Sequence, residues 1–188
     1  MVVFRSMTVD EYKNNYMTFQ LLYAFHRTPF GKCLIAITDI DEDIAYLTFF
    51  DNETTALADL KAKWPLTRTL EDTRNKTSVI VAKIFNPDDS HLHVRVIMKG
   101  TEFQIKIWKS LIGIPRGTFT TYEEVARMAD YNPKAAIAVG NAISKNYIAY
   151  VVPCHRVLSK NMYLHGTKYA WGIERKKAIL EYEKQLLS

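Results

Sequence analysis

The sequence predicts an α+β protein of two domains: a small antiparallel sheet-plus-helix domain, then a mostly helical domain. Short apolar runs separated by turn residues fill the first half of the chain, as in strands. From Thr101 onward, apolar residues recur at helical spacing instead. We therefore expect an N-terminal extension over residues 1–17, a supporting domain over 18–99 and a second domain over 100–188. At 188 residues and 48% hydrophobic, the chain can bury a core without disulfides.

The first domain begins with three predicted strands and one helix. A turn at 28–31 joins the first two strands, and acidic residues at 39–43 precede the third. Proline follows the helix, as it often does where a helix ends. The predicted elements are strands over 21–25, 32–38 and 44–50 and a helix over 54–64 with Thr54 as its N-cap.

Three segments of this first part have a weaker pattern. Residues 1–17 predict a polar leader or an additional helix. The run 77–85 fits a strand or a helix equally well. After a loop at 86–90, residues 91–98 alternate like a further strand.

The second domain is predicted to contain a helix-turn-helix. A capped helix over 101–112 precedes a short helix over 121–129. The next helix runs to about residue 144, with Asn132 as its cap and Pro133 at its first position. Two short helices joined by a tight turn are either a packing unit or a DNA-recognition unit.

A continuous apolar run precedes the most reactive part of the sequence. Residues 147–152 predict a buried strand that ends at Pro153 and Cys154. A last helix is predicted over 172–187.

The number and spacing of the cysteines and histidines indicate which disulfides and metal sites the chain could form. With only two cysteines, Cys33 and Cys154, a disulfide framework is not expected, and a reducing compartment is. The cysteines and histidines never fall into zinc-ligand spacing, so no metal is expected. His91 and His93 alternate as on a solvated strand face.

Charge and hydropathy bound the partners. No stretch approaches the ~20 apolar residues of a membrane span, and the first residues lack a signal-peptide core. We therefore expect an intracellular protein, in the cytoplasm or a nucleus, with no membrane partner. The net charge of +5 and the pI of about 9.1 favour a polyanionic partner such as nucleic acid.

Cys154 is the candidate nucleophile. A cysteine after a buried strand is often inert. Here His155 and Arg156 follow directly, and cationic neighbours enrich the nucleophilic thiolate by lowering the pKa of a thiol. On an extended segment, Cys154 and His155 would point to opposite faces. They could meet only if the chain turns there, or through a bridging water.

The residues around Cys154 resemble a known family. Pro-Cys-His-Arg-Val at 153–157 is similar to the active-site motif of the O6-alkylguanine-DNA alkyltransferases, or methylated-DNA–protein-cysteine methyltransferases. Asn146 lies eight residues before Cys154, as in that family. The similarity is close from Lys99 onward, weaker over 23–50, and does not cover 1–17. The other matching segments are 100–104 with Trp108, 114–117, 121–122, 132–136 and 138–140.

The resemblance implies single-turnover DNA repair without a cofactor. The alkyl group of O6-alkylguanine, or of O4-alkylthymine, would move onto Cys154. His155 would take the thiol proton through a water and would be oriented by Glu183. Asn146 would brace the turn, and Tyr122 would help the guanine oxygen to leave. The expected catalytic residues are Cys154, His155, Glu183, Asn146 and Tyr122, and the expected substrate-binding residues are Tyr122, Val157, Tyr169 and Ala170.

The same resemblance implies a monomer that acts on double-stranded DNA containing O6-alkylguanine. The target base must be turned out of the stack. In the family, the second helix of the helix-turn-helix enters the minor groove and an arginine fills the vacated space. Ile137 occupies that position here, and an uncharged wedge predicts weaker duplex binding or slower flipping. The expected DNA-binding residues are Pro133, Lys134, Ala135, Ile137, Asn141, Arg116 and Lys145.

Two departures leave alternatives open. The loop at 165–172 is longer than the family's by two residues, and Ala170 stands where many relatives have Ser or Arg, so the preferred lesion is undecided. His165 is either an extra base or a solvated loop residue. One alternative function is an alkyltransferase-like protein that binds lesions with weak or altered transfer, which Cys154 opposes and Ile137 favours. The other is a transcription regulator that uses the helix-turn-helix alone.

Overall fold

The computed structural model describes residues 1–86, 93–159 and 169–186. The chain divides into two compact units, Met1–Gly100 and Thr101–Ser188. The boundary lies between the last strand of the first unit and the first helix of the second.

The first unit contains a mixed six-stranded sheet. Its strands are β1 (Val2–Thr8), β2 (Leu21–Thr28), β3 (Gly31–Thr38), β4 (Ile44–Phe49), β5 (Thr69–Glu71) and β6 (Val94–Gly100). Their order in the sheet is β1-β6-β4-β3-β2-β5. The predicted antiparallel pairing is present in β2–β3 and β3–β4. The pairs β1–β6, β2–β5 and β4–β6 are parallel, because they join strands whose connections are long crossovers.

The first 17 residues are part of this sheet rather than a separate extension. They form β1 and the helix α1 (Val9–Asn15). β1 pairs with β6 along its whole length, from Val2 opposite Val94 to Thr8 opposite Gly100. The sequence pattern missed this strand because its side chains are only partly buried and include polar residues at its centre.

Local capping explains two further helices. Helix α2 (Glu53–Lys63) begins at Asn52, not at the expected cap Thr54, because the Asn52 side chain accepts a hydrogen bond from Thr55 N–H at 3.0 Å. The ambiguous run 77–85 is helix α3 (Lys76–Ile84). At its start, Asp72 accepts bonds from the backbone N–H and the hydroxyl of Thr77, at 2.7 and 2.8 Å.

The core of the first unit is centred on β3. Its residues from Cys33 to Ile37 have no exposed surface. A strand buried on both faces is apolar without alternation, which explains the continuous hydrophobic run in the sequence.

The second unit is mostly helical, as predicted. Its elements are α4 (Glu102–Ile112), β7 (Thr120–Thr121), α5 (Tyr122–Met128), α6 (Ala136–Ile143), β8 (Val157–Leu158) and α7 (Ile173–Gln185). Thr101 caps α4 in a capping box with Gln104. Asn132 caps a short 3-10 helix, Pro133–Ala135, that leads into α6. Helices α5 and α6 pack together, so the predicted helix-turn-helix is present.

The predicted strand over 147–152 is wrong. These residues are buried, as expected, but 149–151 form a turn, Ile148 makes a single β-bridge, and Tyr150 has a φ of 65°. Val151 N–H donates to Ala149 O at 2.7 Å, and Val152 N–H donates to Ile148 O at 3.2 Å. The apolar run correctly indicated that these residues are buried. Burial alone, however, does not distinguish a strand from a turn whose backbone groups are hydrogen-bonded locally.

None of the helices in the described ranges is both long and apolar enough to cross a bilayer.

Candidate active site

Cys154 lies where the chain turns sharply beside a cavity. It begins a 3-10 helix, Cys154–Arg156, which follows Pro153. Its side chain is 6% exposed and lines a cavity of about 800 Å³. Because this segment is not extended, the expected separation of Cys154 and His155 onto opposite faces does not apply. Other walls of the cavity include Tyr122, Ile137, Asn141, Asn146, Tyr169 and Trp171.

Asn146 braces the turn and contacts the sulfur. Its side-chain amide donates to Val152 O at 3.0 Å and to Cys154 Sγ at 3.2 Å. Its carbonyl oxygen accepts the N–H of Ile148 at 3.0 Å. One buried side chain therefore bonds the backbone of the apolar run and donates to the thiol, which favours the thiolate.

His155 is fully buried and paired with Glu183. Nε2 of His155 donates to Oε1 of Glu183 at 2.9 Å. Burial lowers the pKa of His155, although the bond to Glu183 opposes this effect. Nδ1 is buried and accepts no hydrogen bond from any of the described residues. The imidazole is therefore neutral, with a lone pair on Nδ1 that is available for a proton.

Glu183 is held by several donors besides His155. Arg156 donates from Nη2 to Oε1 at 2.7 Å and from Nε to Oε2 at 3.0 Å. The backbone N–H of Gly117 donates to Oε2 at 3.2 Å. Burial alone would raise the pKa of Glu183, but the bonds from His155 and Arg156 outweigh it and lower the pKa to about 2. Glu183 is thus a fixed anion that orients the His155 ring.

The resting state of Cys154 is the thiol. Burial raises its pKa to about 11, against the hydrogen bond from Asn146 and the charge of Lys176, which both lower it. The sequence suggested His155 and Arg156 as the cations beside the thiol. That suggestion is wrong, because His155 is neutral and Arg156 is paired with Glu183.

The positive charge that acts on Cys154 belongs to Lys176, which the sequence pattern did not indicate. It is 1% exposed, and its Nζ donates to Val157 O at 2.6 Å. No carboxylate of the described residues lies within ion-pair distance of it. Burial lowers the pKa of Lys176 to about 8, so it remains largely charged at neutral pH. Lys176 recurs at helical spacing with Ile179, Leu180 and Glu183, and these residues form the buried face of α7. This spacing is the sequence feature from which the burial of Lys176 could have been predicted.

The predicted substrate-binding residues fall into two groups. Tyr122, Tyr169 and Ala170 line the cavity. Burial raises the pKa of Tyr122, and ionisation of Cys154 would raise it further. The Tyr169 hydroxyl is buried without a hydrogen-bond partner among the described residues. Val157 is fully buried and is not among the residues that line the cavity, and its carbonyl accepts the bond from Lys176.

Helix α6 exposes one face beside the cavity. Val139, Ala142 and Ile143 are buried, whereas Ile137 is 82% exposed. Pro133 and Ala135 are half-buried. Arg116 is also half-buried, and its charge acts on Tyr150. The exposed positions predicted to bind DNA are Lys134, Ile137, Asn141 and Lys145.

Several expected features lie outside the described residues. These are His91, His165 and the first part of the 165–172 loop. Tyr169, Ala170 and Trp171 from the end of that loop line the cavity. Within the described ranges, no group of three or more His, Cys, Asp or Glu side chains could hold a metal ion.

Part of the chain matches a known family model, and the sequence is similar to those of known proteins. A model of the 6-O-methylguanine DNA methyltransferase DNA binding domain matches residues 102–185. A probable methylated-DNA–protein-cysteine methyltransferase of Acanthamoeba polyphaga mimivirus is 39% identical over 116 residues, covering 62% of this chain and 75% of the relative. The Escherichia coli bifunctional transcriptional activator/DNA repair enzyme Ada is 28% identical across 95% of this chain, but that match spans half of Ada.

Similarity over most of the chain identifies the family. The crystal structure of Mycobacterium tuberculosis OGT in complex with DNA superposes with a TM-score of 0.70 and 29% identity, covering 88% of this chain and 94% of that one. The methylated-DNA–protein-cysteine methyltransferase of Methanosarcina acetivorans is 33% identical over 163 residues, covering 87% of this chain and 98% of the relative. With these identities and coverages, the chain belongs to the methylated-DNA–protein-cysteine methyltransferase family.

Proposed function

We propose that this protein repairs DNA by moving an alkyl group from the O6 oxygen of guanine to the sulfur of Cys154. Direct repair by transfer to a protein cysteine is the activity for which its relatives are named. The observation that carries the assignment is the position of Cys154. It lines a cavity, accepts a hydrogen bond from Asn146 and is followed by the His155–Glu183 pair.

The proposed step is a displacement at carbon. The Cys154 thiolate attacks the alkyl carbon, so a carbon–sulfur bond forms and the carbon–O6 bond breaks. The electron pair of the broken bond stays on guanine, and the net reaction moves one proton from the thiol to the base. The thioether product has no easy route back, so each molecule acts once. The lesion itself is the alkyl donor, and no cofactor is required.

His155 acts as the base in this proposal. Its Nδ1 takes the thiol proton through a bridging water, while Nε2 stays bonded to Glu183. Lys176 stabilises the thiolate by its charge, and Asn146 stabilises it by its amide hydrogen bond. The three groups offset the burial that keeps Cys154 protonated at rest.

Tyr122 acts on the leaving group. Guanine departs as a poor leaving group unless its oxygen or ring receives a hydrogen bond or a proton. Tyr122 lines the same cavity as Cys154, and burial keeps its hydroxyl protonated by raising its pKa. A hydrogen bond from this hydroxyl to the base would assist cleavage of the carbon–O6 bond.

The substrate is proposed to be double-stranded DNA whose damaged nucleotide is extruded into the cavity, with the protein acting as a monomer. The exposed face of α6 would enter the minor groove, with Lys134 and Lys145 near phosphates. Ile137, at the edge of the cavity, would fill the vacated space without adding charge.

Two other functions are less well supported. A protein that only senses lesions has no use for a cysteine beside a base and a buried cation, and the relatives are named as methyltransferases. A sequence-specific regulator requires the helix-turn-helix alone and leaves the cavity unexplained. The same experiment distinguishes all three functions.

The test is the intact mass of the protein after incubation with an oligonucleotide that carries O6-methylguanine. We expect a stoichiometric gain of one methyl group, mapped to Cys154 by peptide analysis. The gain should vanish in Cys154→Ala and persist in Cys33→Ala, which removes the other cysteine, in strand β3. Binding to the lesion without a mass gain would support the sensor. Binding to undamaged DNA of one sequence would support the regulator.

A further inference from the structure

Tyr150 stacks on the proposed catalytic base. The ring centroids of Tyr150 and His155 are 5.8 Å apart, and the ring planes are inclined by 12°. Both side chains are buried, at 5% and 0% exposure. Near-parallel rings at this separation attract each other. The contact places the tyrosine ring beside an imidazole whose Nε2 is bonded to Glu183.

The backbone of Tyr150 is strained. Its φ of 65° lies in the left-handed region, which a bulky side chain rarely adopts. The other described non-glycine residues with positive φ are the polar residues Glu42, Asn75 and Asp130. Strain of this kind persists where surrounding bonds impose it and often accompanies a functional site. Here the Asn146 amide and the local backbone bonds of the 147–152 run hold the conformation.

The charges facing His155 oppose one another. Glu183 favours the imidazolium form, whereas Arg156 and Lys176 disfavour it, and burial does so too. His155 must nevertheless become a cation when it takes the proton of Cys154. The face of a tyrosine ring is electron-rich and attracts a cation more strongly than a neutral group. Burial raises the pKa of Tyr150 to about 12, although the positive charge of Arg116 opposes this, so the ring stays neutral.

Building on the proposed function, we propose that Tyr150 is a positioning residue of the transfer reaction. Its ring fixes the plane of His155 and stabilises the imidazolium that forms when Cys154 gives up its proton. Tyr150 would act through His155 and would not touch the DNA.

The test compares rings at position 150 in the full-length protein. Transfer rate constants are measured over a range of pH with a single-stranded O6-methylguanine oligonucleotide, so that base extrusion does not limit the rate. We expect Tyr150→Leu to slow transfer about tenfold, because it removes the aromatic face. The acid limb of its pH–rate profile should move about half a unit lower, because the pKa of His155 falls. Tyr150→Phe retains the ring and should stay within about twofold of wild type.

Two further variants separate the ring from general packing. Tyr147→Leu removes a buried tyrosine of the same segment that packs on Trp108, and it should leave the acid limb in place. Pentafluorophenylalanine at position 150 keeps the shape of phenylalanine but has an electron-poor face. It should slow transfer relative to Tyr150→Phe even if Tyr150→Leu fails to fold.

The proposal is overturned if the pentafluorinated and ordinary phenylalanine variants share one rate and one pH profile. It is also overturned if Tyr150→Leu folds and shows the wild-type profile, or if its acid limb moves no more than that of Tyr147→Leu. An absence of methyl transfer by the wild-type protein is a different result, because it would remove the proposed function itself.

Discussion

The two units of this molecule each contain one free, buried cysteine, and only one of these cysteines is arranged for chemistry. Cys33 lies inside β3, and burial raises its pKa to about 12. Cys154 is nearly as buried, yet an amide and an ammonium lower its pKa against the effect of burial. Reactivity here comes from the groups that surround a sulfur and from the cavity beside it, because exposure hardly differs.

The two units also differ in their balance of basic and acidic residues. Residues 101–188 contain almost twice as many lysines and arginines as acidic residues, whereas residues 1–100 are nearly balanced. The basic surplus of the chain therefore belongs to the unit with the helix-turn-helix. The first unit has an apolar core and capped helices, but the proposed chemistry uses none of its residues.

The largest expected effect tests the anion of the second unit. Glu183→Gln removes the charge that orients His155 and pairs with Arg156, so transfer should fall about 100-fold or more. The half-buried Arg156 loses its buried anionic partner, so the free energy of unfolding should fall by about 3–5 kcal/mol. Transfer kinetics and urea denaturation measure the two effects. Glu174→Gln, an exposed change on the same helix, should alter neither.

The pH dependence of stability provides an independent check on Glu183. Its pKa of about 2 lies below the ordinary value of 4.5. A depressed carboxylate pKa stabilises the folded state above pH 4.5, and this stabilisation is lost as the pH falls from about 4.5 to about 2. Glu183→Gln should flatten that part of the stability curve. An unchanged slope would mean that Glu183 does not carry the buried charge.

The comparison of the two cysteines can be measured directly. We expect iodoacetamide to label Cys154 at least about ten times faster than Cys33 in the folded protein, because its pKa is lower and a cavity reaches it. In urea, the two rates should converge. Equal rates in the folded protein would contradict the contrast between the sulfurs.

A smaller effect tests the buried ammonium. Lys176→Met removes the cation that lowers the pKa of Cys154, so transfer and iodoacetamide labelling of Cys154 should each slow about three- to tenfold. Labelling of Cys33 should not change. Lys177→Met, at a half-buried neighbour paired with Glu174, is the matched control. A variant at position 176 with wild-type transfer would exclude Lys176 from the stabilisation of the thiolate.

The smallest expected effect concerns DNA binding. Ile137→Arg adds one cation at the edge of the cavity, so duplex affinity should rise a few-fold, and the slope of log K against log salt should steepen by about 0.9. Met17→Arg is the control in the first unit, because Met17 and Ile137 are both 82% exposed. If Ile137→Arg gains neither duplex affinity nor transfer rate, the missing charge does not limit this protein.

Local patterns predicted most of the fold. Turn residues between apolar runs indicated the strands β2, β3 and β4, and the caps Thr101 and Asn132 indicated where helices begin. The parallel pairing of β1 with β6 could not be predicted in this way, because it joins opposite ends of the first unit. The turns at 147–152 were missed since the Asn146 side chain, and not a neighbouring strand, bonds much of their backbone.

The candidate site was predictable to the extent that a motif marks it. Cys154, His155 and Asn146 lie in one stretch with a family pattern, and the resemblance extended this to Glu183. The charges of the site were not predictable, because Arg156 pairs with Glu183 and the cation that acts on Cys154, Lys176, belongs to a helix distant in sequence. Cations adjacent to a cysteine in sequence are therefore poor guides to its ionisation.

The high pKa of Cys154 also affects how well the unreacted protein resists side reactions at its sulfur. Because burial raises the pKa of Cys154 to about 11, the thiol form predominates at neutral pH. Oxidants and electrophiles other than the substrate attack the ionised form, so the unreacted protein is protected from them while Cys154 stays protonated. A protein that reacts only once therefore holds its cysteine as the unreactive thiol until the substrate binds.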